Sequence, residues 1–158
     1  MFNATEAKKL FELSQPQMFR GKPTRRRCVG VGKRYFWKDL PVLEESSWID
    51  ELREENGFED YDQCLINFYP GGAGIGFHTD KTEGMDTSKP VWMINFGITE
   101  DWNEYVGKLG KMKLEDRDFE INSEPIRMDA YTLKHSATTR KCKDFKWRMN
   151  ITFRKTLM

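Results

Sequence analysis

The stretch Asn67-Phe68-Tyr69-Pro70-Gly71-Gly72-Ala73-Gly74-Ile75-Gly76-Phe77-His78-Thr79-Asp80 constrains the fold more than any other in the chain. Its pattern is that of two strands joined by a glycine-rich turn and closed by two metal-ligand residue types. Side chains alternate along a strand, so His78 and Asp80 point to one face. An imidazole and a carboxylate on one face are two thirds of the two-histidine, one-carboxylate set that holds non-haem Fe(II) and leaves positions open. His135 is the other histidine of the chain and is therefore the third ligand. Taken alone, the His-x-Asp pair reads more readily as a surface histidine beside a solvated aspartate.

A second segment, Arg148-Met149-Asn150-Ile151-Thr152-Phe153-Arg154, has a strict period of two. Met149, Ile151 and Phe153 form an apolar face, and Arg148, Asn150, Thr152 and Arg154 form a polar one. Two arginines turned inward need anionic partners, because an unpaired buried charge is costly. A dicarboxylate held at an iron would answer that need through charge-assisted bonds of roughly 1.5–3 kcal/mol each. An edge strand with both arginines in water is the alternative. Tyr61 to Tyr69 is also predicted as a strand, with Leu65, Asn67 and Tyr69 on one face. Its amide and phenol are thereby placed to bond a ligand carboxylate.

At 158 residues the chain is expected to form one domain, and 38% apolar residues with 13% aromatics can fill a modest core. No apolar run approaches the roughly 20 residues of a membrane span, and no leader pattern precedes the first helix. A soluble, intracellular protein, cytoplasmic by default, is the expectation. Cys28, Cys64 and Cys142 form no C-x-x-C pair, which argues against a disulfide framework or a zinc site. The net charge of +1 hides a segregation. Arg20, Lys22, Arg25, Arg26, Arg27, Lys33, Arg34 and Lys38 are basic, as are Lys134, Arg140, Lys141, Lys143 and Lys146, while Glu44 to Asp62 is acidic. Basic segments flanking a site suit a polyanion; a solvated charged surface accounts for them equally.

Thr5 to Leu13 is predicted as a helix and Gln15 to Thr24, with Pro16, Gly21 and Pro23, as a loop. Phe19 in that loop is either a satellite core contact or a wedge for a base stack. Arg25 to Trp37 is predicted as two short strands around Gly30 and Gly32. Tyr35 and Trp37 would share a face as a platform for a base, worth about 1–3 kcal/mol per stacked base, with core packing the alternative for Trp37. Ser47-Trp48-Ile49-Asp50 resembles a capping box opening a helix that ends near Gly57. Pro90 to Gly97, Trp102 to Val106, Lys111 to Leu114 and Pro125 to His135 are further strand candidates. Many short strands with one or two early helices predict a mainly β antiparallel barrel or sandwich.

These motifs together resemble the AlkB branch of the Fe(II)- and 2-oxoglutarate-dependent dioxygenases. The family pattern N-x-Y, H-x-D, a distant H and R-x-N-x-T-x-R stands here as Asn67 and Tyr69, His78 and Asp80, His135, and Arg148, Asn150 and Arg154, across about Arg25 to Leu157. The resemblance implies a double-stranded β-helix (jelly roll), with residues 15–40 as a flap over the substrate. It implies Fe(II) on His78, Asp80 and His135, and 2-oxoglutarate clamped by Arg148 and Tyr69 with Asn67, Asn150 and Arg154 in support. O2 is the further co-substrate, and ascorbate a stimulant. The implied reaction hydroxylates an N-methyl group that leaves as formaldehyde. Its implied substrate is 1-methyladenine or 3-methylcytosine in DNA or RNA, contacted by Tyr35, Trp37, Arg25 and Arg26. Such a lesion is cationic, unpaired and therefore easier to extrude.

The pattern departs from the family at Thr82, where nucleic-acid members usually carry an acidic residue; Glu83 stands one position later and is the candidate substitute. The short N-terminal part points to a single-stranded substrate and the whole to a monomer. A 2-oxoglutarate oxygenase acting on a protein side chain and a nucleic-acid-binding module without catalysis are the rival readings.

Overall fold

The computed structural model describes residues 1–33, 35, 39–115 and 117–157. Helix α1, Ala4–Leu13, starts on the Asn3 side chain, which accepts from the Glu6 amide, and turns Ala7 and Leu10 inward. The following residues depart from the loop expected at Gln15 to Thr24. Strands β1, Gln15–Phe19, and β2, Lys22–Gly32, form an antiparallel hairpin. Its two-residue turn is Arg20-Gly21, with φ of 51° and 78°, the left-handed pair that matches strand twist. Pro16 is tolerated because β1 is an edge strand. Gly30 interrupts nothing, because β2 runs through it to Gly32; most of the second strand expected up to Trp37 lies outside the described residues. The side chain that Gly30 lacks lets β3, Val42–Leu43, lie parallel alongside, since a Cβ would come within 3.1 Å of Leu40 and 3.3 Å of Val42.

Helix α2, Ser47–Asn56, is capped by Ser46, one residue earlier than the sequence pattern suggests, with the Ser46 hydroxyl accepting from the Ile49 amide. Gly57 ends it in the left-handed conformation, φ 75°. Then follow β4, Gln63–Pro70; β5, Gly74–His78; β6, Val91–Ile98; β7, Glu104–Tyr105; β8, Gly110–Leu114; β9, Arg117–Ile121; β10, Ile126–Met128; β11, His135–Thr139; and β12, Trp147–Arg154. The expected strand over Pro125 to His135 is thus two strands, β10 and the start of β11, separated by a turn.

The larger sheet has the order β1-β2-β4-β12-β6-β10, with β3 on β2 and β7 on β6; the smaller has β5-β11-β8-β9. All pairings except β2 with β3 are antiparallel. The architecture is a double-stranded β-helix with two helices.

Period two in β12 divides the molecule. Met149, Ile151 and Phe153 join Ile66, Phe68, Ile94 and Phe96 on the outer face of the large sheet, where Leu10, Trp48, Ile49 and Leu52 cover them. Each such side chain removes about 1.5–3 kcal/mol worth of apolar surface from water. A second apolar cluster, with Met93, Leu109, Met112, Ile121 and Met128, lies between the sheets. The polar residues of β12 face that space, where the site lies. Among the described residues no helix is long and apolar enough to cross a membrane.

Candidate active site

Strands β5 and β11 bring His78 and His135 opposite one another. Ala137, two residues after His135 and on the same face, pairs with Ile75, three residues before His78. A bulge at Gly76-Phe77 makes up the odd residue, so Ile75 and His78 both line the cavity. Asp80 follows the end of β5 and is held by its amide, which donates to the Ala130 carbonyl at 2.8 Å.

The resulting cluster is close-knit. Asp80 Oδ1 lies 3.5 Å from His78 Nε2 and 3.2 Å from His135 Nε2, and all three ligand atoms fall within 4.8 Å of one another. Cis ligands around an ion with bonds of about 2.1 Å stand about 3 Å apart, so the set fits a single metal.

Each Nδ1 faces a backbone carbonyl, Gly76 at 2.7 Å and Leu133 at 2.9 Å. That contact assigns the ring proton to Nδ1 and turns the Nε2 lone pairs toward the carboxylate. Three electron-pair donors converge on one point, which calls for a cation between them. The same need raises the His78 pKa, through its bond to Asp80 first.

Burial alone would raise the Asp80 carboxyl. Arg154 and the two imidazoles more than offset this and hold it well below the usual carboxylate range. Arg154 Nη2 donates to Asp80 Oδ2 at 2.6 Å, leaving Oδ1 for the metal side.

A second, distinct feature lies deeper. Arg148 is 1% exposed and has no carboxylate within ion-pair distance among the described residues. Its Nε donates to Thr139 Oγ1 at 3.0 Å and its Nη1 to Asn95 Oδ1 at 2.8 Å, while its guanidinium lies 4.3 Å from the Tyr69 ring centre. Its Nη2 has no hydrogen-bond partner among the described residues. Burial pushes the guanidinium down to about 10. A buried cation with an orphaned donor beside a cavity is able to hold an anion there.

The neighbouring row is amide throughout. Asn67, Asn150 and Asn95 stand in register on β4, β12 and β6. Asn67 Nδ2 donates to Asn150 Oδ1 at 3.4 Å, and Asn150 Nδ2 to Asn95 Oδ1 at 3.1 Å. Asn95 escapes the sequence pattern. Its one signal is a lone amide at the inward parity of an otherwise apolar strand.

Both features open into one cavity of about 720 Å³ between the sheets, lined by Asn67, Tyr69, His78, Asp80, His135, Arg148, Asn150 and Arg154. Arg154 is committed to Asp80, with Nε and Nη1 uncommitted.

Of the residues expected on a substrate, Arg25, Arg26 and Tyr35 line this cavity. Tyr35 is 4% exposed and its ring lies 4.5 Å beneath the Arg154 guanidinium, so it offers no open platform. Arg25 lines the exposed mouth, and half-buried Arg26 donates from Nη1 to the Tyr69 hydroxyl at 3.2 Å. Glu83 is exposed in the loop after Asp80 and does not line the cavity. Trp37 and Phe36 lie outside the described residues. Phe19 is 63% exposed at the cavity mouth and is no core contact.

No family model matches the chain. Over 98 residues it is 32% identical to the RNA replication protein of Grapevine virus A (isolate Is 151), a match covering 58% of this chain and 5% of that protein. The chain therefore spans a small fraction of the length of that relative. Among solved structures it is similar to an oxidoreductase of the 2OG-Fe(II) oxygenase family from Burkholderia pseudomallei. That match has a TM-score of 0.55 and 12% identity, covering 99% of this chain and 84% of the other. It is also similar to a Pseudomonas putida prolyl-4-hydroxylase, with a TM-score of 0.50 and 14% identity, covering 96% of this chain and 83% of the other. The likeness is one of fold. It agrees with the antiparallel two-sheet architecture.

Proposed function

We propose that the chain is an Fe(II)- and 2-oxoglutarate-dependent oxygenase that demethylates alkylated bases, of the 1-methyladenine or 3-methylcytosine type, in single-stranded DNA or RNA. The observation that carries the oxygenase reading is the pairing, in one cavity, of a three-ligand cluster with a buried arginine that lacks an acid. His78 Nε2, Asp80 Oδ1 and His135 Nε2 would hold the metal. Bound Fe(II) and 2-oxoglutarate supply the oxidation: one oxygen atom of O2 leaves in succinate, with carbon dioxide released, and the other hydroxylates a methyl carbon that departs as formaldehyde.

The chain itself binds, orients and excludes water. Arg148 Nη2 and the Tyr69 hydroxyl would take the distal carboxylate, and Asn150 and Asn67 flank the same floor. The Arg154 bond to Asp80 Oδ2 keeps the aspartate oriented and charged. Met93, Met112, Ile121 and Met128 wall the cavity with apolar surface that favours a dry site.

Two observations support a polynucleotide at the mouth. Arg25 and Lys81 line the cavity and are exposed, with Phe19 beside them as an open aromatic face. The partial likeness to a viral RNA replication protein points the same way.

The test is mass spectrometry of single-stranded DNA and RNA oligonucleotides carrying either base, incubated with protein, Fe(II), 2-oxoglutarate and ascorbate, with His135→Ala as control. Loss of the methyl group, a net CH2 per base, by the wild type alone is the expected result. Succinate without demethylation would redirect the substrate to a protein side chain. Absence of both succinate and iron binding would remove the oxygenase.

A further inference from the structure

The run Arg25-Arg26-Arg27 splits three ways when β2 pairs with β4. Arg27 stands opposite Phe68, on the helix side, where its Nε donates to Ser14 Oγ at 3.0 Å and its guanidinium lies 4.9 Å from the Phe11 ring centre. Arg25 is exposed at the mouth. Arg26 has the inward parity of Cys28, which stands opposite Asn67.

Arg26 therefore extends the row that begins with Arg148 and Tyr69 in register. Its guanidinium lies 5.9 Å from the centre of the Tyr69 ring that also receives Arg148 at 4.3 Å. Its Nη1 donates to the Tyr69 hydroxyl at 3.2 Å. A phenol accepts through its lone pairs and donates through its single hydrogen. With the oxygen receiving from Arg26, that hydrogen is left to point at another acceptor. A charged donor behind a hydroxyl polarises it and strengthens the bond it makes in turn.

We propose that Arg26 is a positioning residue for the co-substrate, acting through the Tyr69 hydroxyl on the distal carboxylate that Arg148 anchors. This rests on the reading of the cavity as a 2-oxoglutarate site. Arg26 thereby belongs to co-substrate selection, on the opposite account from its expected place on the nucleic acid. Two guanidinium groups around one phenol select for a ligand with a second carboxylate at that depth. A shorter chelator that reaches only the metal gains nothing from them.

The experiment is calorimetric titration of 2-oxoglutarate, and of oxalate, into protein loaded with Mn(II) in place of Fe(II), so that no turnover is needed. Oxalate chelates a metal but carries no distal carboxylate. Arg26→Gln should weaken 2-oxoglutarate binding about tenfold, the equivalent of about 1.4 kcal/mol, and leave oxalate binding unchanged. Arg26→Lys should recover part of the loss. The double variant Arg26→Gln/Tyr69→Phe should bind no worse than the weaker single variant, since both remove the same bond.

Equal losses for the two ligands would make the effect a general distortion and overturn the proposal. Unchanged 2-oxoglutarate binding, with weaker binding of a single-stranded oligothymidylate, would overturn it in favour of a polynucleotide contact. If wild-type protein bound neither ligand, the co-substrate reading itself would fail, and the proposal with it.

Discussion

Arg148 is stable as a buried cation only because neutral acceptors share its charge, and Asn95 is one of them. Asn95 Oδ1 accepts from both Arg148 and Asn150, while its Nδ2 has no partner among the described residues. Replacing the amide with a carboxylate of the same shape would keep both accepted bonds, remove the orphaned donor and pair the arginine. Asn95→Asp is therefore expected to melt at or above the wild-type temperature, since a charge-assisted bond contributes about 1.5–3 kcal/mol against the cost of burying the new charge. It should lose tenfold or more in 2-oxoglutarate affinity, because the new carboxylate competes for the same guanidinium. Thermal melts and calorimetry on one preparation check both halves, and unchanged affinity would remove Arg148 as the anchor. At this scale the sequence was legible where a residue type was scarce or a pattern local. Two histidines leave no choice of imidazoles for the cluster at Asp80, and strict alternation turns Arg148 inward. Asn95 and Arg26 were not legible in their roles, because each depends on which strand lies alongside.

Strand β5 owes its place to a residue without a side chain. A Cβ on Gly74 would run into the Ala137 carbonyl of β11, whereas one on Gly76 would meet nothing within 4 Å. Gly74→Ala must push β5 away from β11, and with it His78 away from His135. Its cost is expected at about 2 kcal/mol or more, as for other steric insertions beside packed backbone, with metal affinity lost in proportion. Gly76→Ala should leave urea stability within about 0.5 kcal/mol of wild type. Equal stability of the two variants would refute the close approach. Both helices and the long strands were legible from periodicity, since α1, α2, β4, β6 and β12 each carry a continuous apolar face. The β1–β2 hairpin was not, because prolines and a glycine that mark a loop are also what an edge strand and a left-handed turn accept. Strand β9 was missed because Ile121 is its one buried residue.

Across the whole molecule the sheet order is the least local property. The strand that comes last, β12, lies at the centre of the large sheet between β4 and β6, an arrangement that no single segment encodes. Asp62 ties the ends of three neighbouring strands, β2, β4 and β12, at that centre. It accepts from the Thr156 amide at 2.8 Å and hydroxyl at 2.7 Å, and pairs with Lys33 at 2.9 Å and Lys155 at 3.4 Å. Burial opposes ionisation, but these donors prevail and hold its carboxyl at about 2. The folded value lies below the unfolded value of about 3.9. Its contribution is therefore fully present above about pH 4 and is lost as pH falls toward 2. With partial exposure the contribution is about 2 kcal/mol. The unfolding free energy of wild type should exceed that of Asp62→Asn by about that amount at pH 7, and the gap should close steadily below pH 4. Urea titrations of the pair at pH 7, 4 and 3 measure it; a gap that stays constant with pH would show that the tie works by shape and not by charge.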